Sequence, residues 1–177
     1  MKLAVDQITE SPKDISFSER VEELNLIYKE EDKVRDYYFP PFLNVKLVYY
    51  GSGQEIFFQG WFGGTIEGRC SRCLKSYSFP IEKEFDFVLA PQPLSAKSKE
   101  LSRDEMGLSF YAAEEINLSP LIMEQVLLAL PIRPLCEDGC RGLCGGCGVN
   151  LNYEPCHCAS EPGDPRMAIF RTLKLGR

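Results

Sequence analysis

Histidine and tryptophan occur once each in this 177-residue sequence, as His157 and Trp61. A single imidazole excludes histidine-rich metal catalysis, and any Ser-His-Asp arrangement would have to run through His157. Long apolar runs are also absent. No window approaches the ~18 apolar residues of a membrane span, and the opening stretch MKLAVDQITESPKD holds no apolar run of signal-peptide length. A cytoplasmic protein without membrane attachment is therefore expected. No phosphate-cradling Gly-x4-Gly-Lys-Ser/Thr loop occurs, and the glycines from 139 to 148 do not follow a strand in dinucleotide-binding order. These absences leave no credible enzyme site and no small-molecule substrate. Cations are scarce as well. Lysine plus arginine total 20 against 26 aspartate plus glutamate, a formal charge of −6, so non-specific attraction to phosphate is weak and any nucleic-acid contact must be local.

Cysteine is what the sequence has in excess. Six of the eight stand in CEDGCRGLCGGCGVNLNYEPCHC, residues 136 to 158, and the other two in CSRCLKS from residue 70. In a reducing compartment an even count at close spacing reads as metal binding before it reads as disulfides. Zinc takes four soft donors in a tetrahedron, and a Cys-x-x-Cys turn offers two from one tight loop. Four close pairs are available: Cys70/Cys73, Cys136/Cys140, Cys144/Cys147 and Cys156/Cys158. Two four-thiolate Zn2+ sites would use every cysteine, and each would add −2 to the formal charge. The preferred partition joins Cys70/Cys73 to Cys136/Cys140 and Cys144/Cys147 to Cys156/Cys158, with the crossed pairings and single-metal arrangements as alternatives. Gly145, Gly146 and Gly148 are available for the positive φ that turns backbone amides toward sulfur. His157, flanked by stronger soft ligands, is expected to face solvent. The spacing Cys140-x3-Cys144-x2-Cys147 also fits a radical-enzyme iron–sulfur loop, but such enzymes need a large barrel downstream and only 30 residues follow Cys147. All-thiolate sites are closed and structural rather than catalytic.

The remainder reads as α+β, a mainly antiparallel β domain with one buried helix, followed by a cysteine-rich zinc-binding loop and a terminal helix. The β domain is assigned to 1–130 and the cysteine-rich segment with its helix to 131–177. LNVKLVYY alternates with Leu43, Val45, Leu47 and Tyr49 on one side. Gly51-Ser52-Gly53 predicts a hairpin loop before QEIFFQGWF, in which Ile56, Phe58 and Phe62 point inward. Gly63-Gly64 is expected to break that strand before a short one over 65–69. From Phe79 to Leu89 a further strand alternates, with Glu82, Glu84 and Asp86 as its solvated face, which places Cys70 and Cys73 at a hairpin tip. Phe57 and Trp61 are expected to be buried beneath the N-terminal segment, with base stacking as the alternative. KLAVDQI is a candidate edge strand and KEEDKVRD a solvated face or loop. Residues 91–107 read as an exposed linker. Near 119–130 the spacing predicts a buried helix capped by Ser119, begun by Pro120 and ended by Pro131. Asp164 and Pro165 open a final helix carrying Arg166, Arg171, Lys174 and Arg177.

CSRCL after a glycine-containing strand, INLSPLIMEQVLLALPIRPLC, CRGLCGGCGVNLN with its trailing CHC, and DPRMAIFRTLK occur in this order. In combination they resemble the bacterial-type YceD family of large-subunit ribosomal RNA accumulation proteins. Some members lack the second cysteine cluster. The resemblance implies a non-enzymatic ribosome biogenesis factor needed for accumulation of large-subunit (23S) ribosomal RNA. The implied partner is that RNA or a pre-ribosomal particle, met directly or through a ribosomal or assembly protein. Direct RNA contact would fall to Arg69, Arg72 and Lys75 at the hairpin tip, or to Arg166, Arg171 and Lys174. The competing readings are a zinc-ribbon-like adaptor that never meets RNA, and a thiol redox sensor.

Overall fold

A computed structural model describes residues 1–27, 36–92 and 108–158. The charged run 29–36 except Asp36, residues 93–107 of the expected linker, and the whole expected terminal helix with Arg166, Arg171 and Lys174 lie outside the described residues.

Most of the described chain is β-sheet. The strands are β1 (Lys2–Ala4), β2 (Lys13–Arg20), β3 (Tyr37–Tyr38), β4 (Phe42–Ser52), β5 (Glu55–Arg69), β6 (Ser76–Pro91), β7 (Leu108–Tyr111) and β8 (Glu115–Asn117). A short helix α1 (Leu24–Ile27) follows β2, and α2 (Leu118–Ala129) follows β8. The main sheet runs β2-β4-β5-β6-β7, with β3 added on β5, while β1 and β8 form a separate two-stranded sheet. Every ladder is antiparallel except β6 with β7, which is parallel.

Alternation sets the core. Leu43, Val45, Leu47 and Tyr49 of β4 meet Ile56, Phe58, Phe62 and Ile66 of β5 and Ile81, Phe85 and Leu89 of β6 on the inner face. The expected break at Gly63-Gly64 does not occur, and β5 continues for 15 residues. Backbone pairing continues through both glycines, opposite Glu82 and Ile81. The missing side chains leave room for larger neighbours: the Trp61 ring lies over Gly63, and Leu43 fills the space at Gly64. Gly60 works the same way. It stands opposite Leu47 on one side and Phe85 on the other. A Cβ there would come 2.8 Å from Phe85 Cε2 and 2.9 Å from Leu47 Cδ1. Gly60→Ala should therefore destabilise the sheet by about 1–3 kcal/mol through overpacking, read as a lower urea midpoint at unchanged slope. An unchanged midpoint would mean the Phe85 ring moves aside at no cost. The hairpin turn is also tighter than expected. The ladder runs through Gly51 and Ser52 to the Ser52–Glu55 pair, leaving Gly53-Gln54 as the loop, with Gly53 at φ 62° as a glycine-first two-residue turn requires.

The helix departs from the expected all-round burial. Only Leu118, Ile122 and Val126 are buried, and Leu128 is 72 % exposed. The sheet face takes one helical stripe fully, Leu121, Met123 and Leu127 pack half-buried at its margins, and Leu128 is left to solvent. The cap is Asn117, whose side chain accepts from the Ser119 N–H at 3.2 Å. Pro120 then sits within the first turn, where a missing N–H leaves no intrahelical bond unmade. The N-terminal segment does not roof Phe57 and Trp61 either. Strand β2 pairs edge-on with β4 in the plane of the sheet, and both rings stay half-buried on the outer face.

Candidate metal centres

Strands β5 and β6 end beside Cys70 and Cys73, and the turn between them is tightly specified. The Cys70 N–H donates to Lys75 O at 2.9 Å and the Leu74 N–H to Cys70 O at 2.9 Å, with Leu74 at φ 60°. Cys144 to Val149 repeats the pattern: the Cys144 N–H donates to Val149 O at 2.8 Å and the Gly148 N–H to Cys144 O at 2.9 Å, with Gly148 at φ 75°. The two Cys-x-x-Cys turns are thus one device built twice. Both need a left-handed residue directly after the second cysteine, supplied by glycine in one and by leucine in the other. A β-carbon in this region costs roughly 1–2 kcal/mol, so Leu74 is held there by its surroundings. Of the three glycines considered for positive φ, only Gly148 adopts it; Gly142 is the other in the loop.

The eight cysteines are free thiols and fall into two quartets, Cys70, Cys73, Cys136, Cys140 and Cys144, Cys147, Cys156, Cys158, which is the partition preferred from the sequence. Within each, all sulfurs lie within 4.8 Å of one another. Four sulfurs placed ~2.3 Å from one ion in a tetrahedron stand about 3.8 Å apart. In the first quartet Cys70–Cys140 and Cys73–Cys136 are 3.7 and 3.6 Å apart. The second is less regular, with Cys144–Cys156 at 3.1 Å, Cys147–Cys156 at 3.7 Å and Cys144–Cys158 at 4.0 Å. Either quartet could hold a metal ion. The first crosses the expected division at residue 130, because β5 and β6 carry one pair and the chain beyond α2 the other. His157 is exposed and belongs to neither quartet.

Thiol acidities within each quartet are driven apart. Burial pushes the Cys70 thiol up, but N–H groups of Cys73, Cys136 and Arg72 outweigh it and bring the pKa down to about 6. Burial and the neighbouring thiols push Cys136 up to about 12. In the second quartet the N–H of Cys147, with Cys156 and the N–H of Gly146, lowers Cys144 to about 6, while hydrogen bonds with the Cys147 and Cys156 thiols raise Cys158 to about 12. Four sulfurs this close cannot all ionise without a cation among them, which is the behaviour of a donor set suited to a soft divalent ion.

The quartets differ in their surroundings. Cys70, Cys73 and Cys140 are buried, with Leu135, Leu143 and Tyr77 packed around them. Cys147 and Cys158 are exposed. The basic residues expected at the hairpin tip are tied to neighbouring groups: Arg72 donates to Cys140 O at 2.8 Å, Arg69 to Leu74 O at 3.2 Å, and Lys75 to the Tyr153 hydroxyl at 3.0 Å, with Arg72 and Lys75 still exposed. Asn152, which no spacing rule singled out, donates to Cys140 Sγ at 3.3 Å and accepts from the Arg141 N–H at 2.6 Å. The Leu143 N–H donates to Arg72 O at 3.1 Å. Together these bonds fasten the loop of the second quartet onto the first.

The fold and these clusters define a mostly β protein with two closed all-cysteine sites, each able to hold a metal ion. The chain belongs to the YceD family, described as large ribosomal RNA subunit accumulation protein YceD, whose model matches residues 58–174. It is 38 % identical over 101 residues to an uncharacterized protein of Mycobacterium tuberculosis, covering 57 % of this chain and 47 % of that relative. An uncharacterized Mycobacterium bovis protein matches to the same extent. An Arabidopsis thaliana protein named large ribosomal RNA subunit accumulation protein YCED homolog 1, chloroplastic, is 29 % identical over 118 residues, 54 % of this chain and 37 % of that protein. The chain spans about half the length of the mycobacterial relatives it matches. No solved structure matches it. Among the described residues no helix is long and apolar enough to cross a membrane.

Proposed function

We propose that this protein is a non-catalytic cytoplasmic factor that supports accumulation of large-subunit ribosomal RNA, with each cysteine quartet holding one zinc ion as a structural brace. Family membership over 58–174 carries the ribosomal part of this reading. The bracing part rests on the donor sets, which are four thiolates without a carboxylate or imidazole and so leave no coordination position for a substrate. In this role the metal fixes the hairpin tip and the loop after α2 as one rigid surface.

Depleting the protein in its own host should lower the ratio of large- to small-subunit ribosomal RNA, with restoration by the wild-type chain. An unchanged ratio on depletion would remove the reading. The charge of −6 and the intramolecular bonds already made by Arg69, Arg72 and Lys75 favour a second reading, that the particle is reached through a protein. Nuclease treatment of a pull-down separates the two: direct RNA contact loses the associated particle, whereas an adaptor keeps its protein partner.

A further inference from the structure

The outer face of the main sheet carries an aromatic row edged by carboxylates. Cross-strand register places Lys46, Trp61 and Glu84 side by side across β4, β5 and β6, followed by Val48, Gln59 and Asp86, and then Tyr50, Phe57 and Val88. Glu82 extends the acidic line opposite Gly63. Part of this face forms a shallow open trough of about 480 Å³ lined by Lys46, Val48, Gln59, Trp61, Glu84 and Asp86 among others. Tyr50 and Phe57 stack at 5.3 Å with their planes 10° apart, and Lys46 Nζ lies 5.7 Å from the centre of the Trp61 ring. Trp61 can lie flat because Gly63 has no side chain beneath it.

Glu82, Glu84 and Asp86 are exposed, and none makes an ion pair among the described residues. They occupy alternate positions of one strand, so their carboxylates repeat every ~6.8 Å along β6. A second extended chain has the same repeat. Its alternate side chains would meet the three carboxylates in turn if they were cationic. A guanidinium reaching further would stack on Trp61 by displacing the exposed Lys46 ammonium from over the ring. Over Ser76–Phe87 the side of β6 away from β5 carries no strand among the described residues, so a chain can approach along it. Phosphate is repelled by this line of charge, which disfavours RNA here.

We propose that this face is the docking surface for an extended, arginine- and lysine-rich polypeptide segment. The inference depends on neither metal centre.

Trp61 is the sole tryptophan, so its emission reports on the face directly. The full chain is titrated with a short peptide of alternating arginine and glycine, with a glycine–serine peptide, and with a uridylate oligonucleotide of matched length. The basic peptide should shift or quench Trp61 emission, and the effect should weaken with salt. The triple substitution Glu82→Gln, Glu84→Gln, Asp86→Asn should weaken binding about tenfold. A charge-matched control, Glu23→Gln, Glu114→Gln, Glu124→Gln, should bind within about twofold of wild type. No emission change with the basic peptide in the wild-type chain overturns the proposal. Equal weakening by both triples also overturns it, since binding would then follow net charge alone. A response to the oligonucleotide at lower concentration than to the peptide would assign the face to RNA instead.

Discussion

Cys140→Ser should empty the first centre of metal and unfold the chain beyond Pro134 while leaving the sheet intact. Cys140 is 2 % exposed, and its carbonyl and sulfur accept from Arg72 and Asn152. Structural zinc supplies roughly 10–16 kcal/mol of apparent binding energy to small sites. Among the described residues the apolar cluster around this quartet consists of Leu135, Leu143 and Tyr77 besides cysteine, too little to replace that energy. The sheet has its own core of Leu43, Leu47, Phe58, Phe62 and Ile122, so the damage should stop at the hairpin tip. Hydrogen exchange measures this directly. Amides from 135 to 158 should lose protection, whereas those of β4 and β5 keep it, and bound zinc should fall from about two per chain to one or fewer. The second centre should be weakened too, because Asn152 and Leu143 anchor its loop to Cys140 and Arg72. Full protection of 135–158 in a zinc-free variant would refute the bracing role.

With one zinc ion in each quartet, as proposed, a chelator combined with a thiol reagent should remove the two ions in two separate phases. Cys147 and Cys158 are exposed, whereas Cys70 is 0 % exposed beneath the hairpin tip. Thiols open to solvent exchange without any unfolding, while buried ones wait for a local opening, and each 1.4 kcal/mol of opening energy slows the reaction tenfold. One equivalent should therefore leave at least about tenfold faster than the other. Peptide mapping should find label on Cys144, Cys147, Cys156 and Cys158 in the fast phase. Release of both metals in one phase would show that the centres open together, making the bonds from Asn152 and Leu143 stronger than the difference in burial.

Where one local rule governs, the sequence was informative. Alternation alone places Leu43, Val45, Leu47 and Tyr49 inside, and cysteine spacing brings out the four pairs, because sulfur pairs on tight turns have few other uses; their grouping into quartets is a preference that the fold bears out. The reading failed where a neighbour decides. Gly63 and Gly64 look like a break, but whether a glycine ends a strand depends on what lies across it, here Trp61 and Leu43. The helix looked buried all round because composition says how much is apolar and not how much surface is available to cover it. Asn152 and Leu74 left no signal at all: an asparagine bonded to sulfur and a leucine in a left-handed turn both follow from tertiary contacts.

The first centre brings Cys73 to Cys136, with β6, β7, β8, α2 and residues 93–107 inside the stretch of chain it closes. The entropy of closing so long a loop grows only logarithmically, by about 0.6 kcal/mol per doubling of its length. A change in the length of that stretch should therefore alter its closure entropy little, as long as the two ends still meet at sulfur. Spacing between the cysteine pairs is then a poor guide to kinship among such chains, whereas the left-handed backbone directly after each Cys-x-x-Cys recurs whatever residue supplies it.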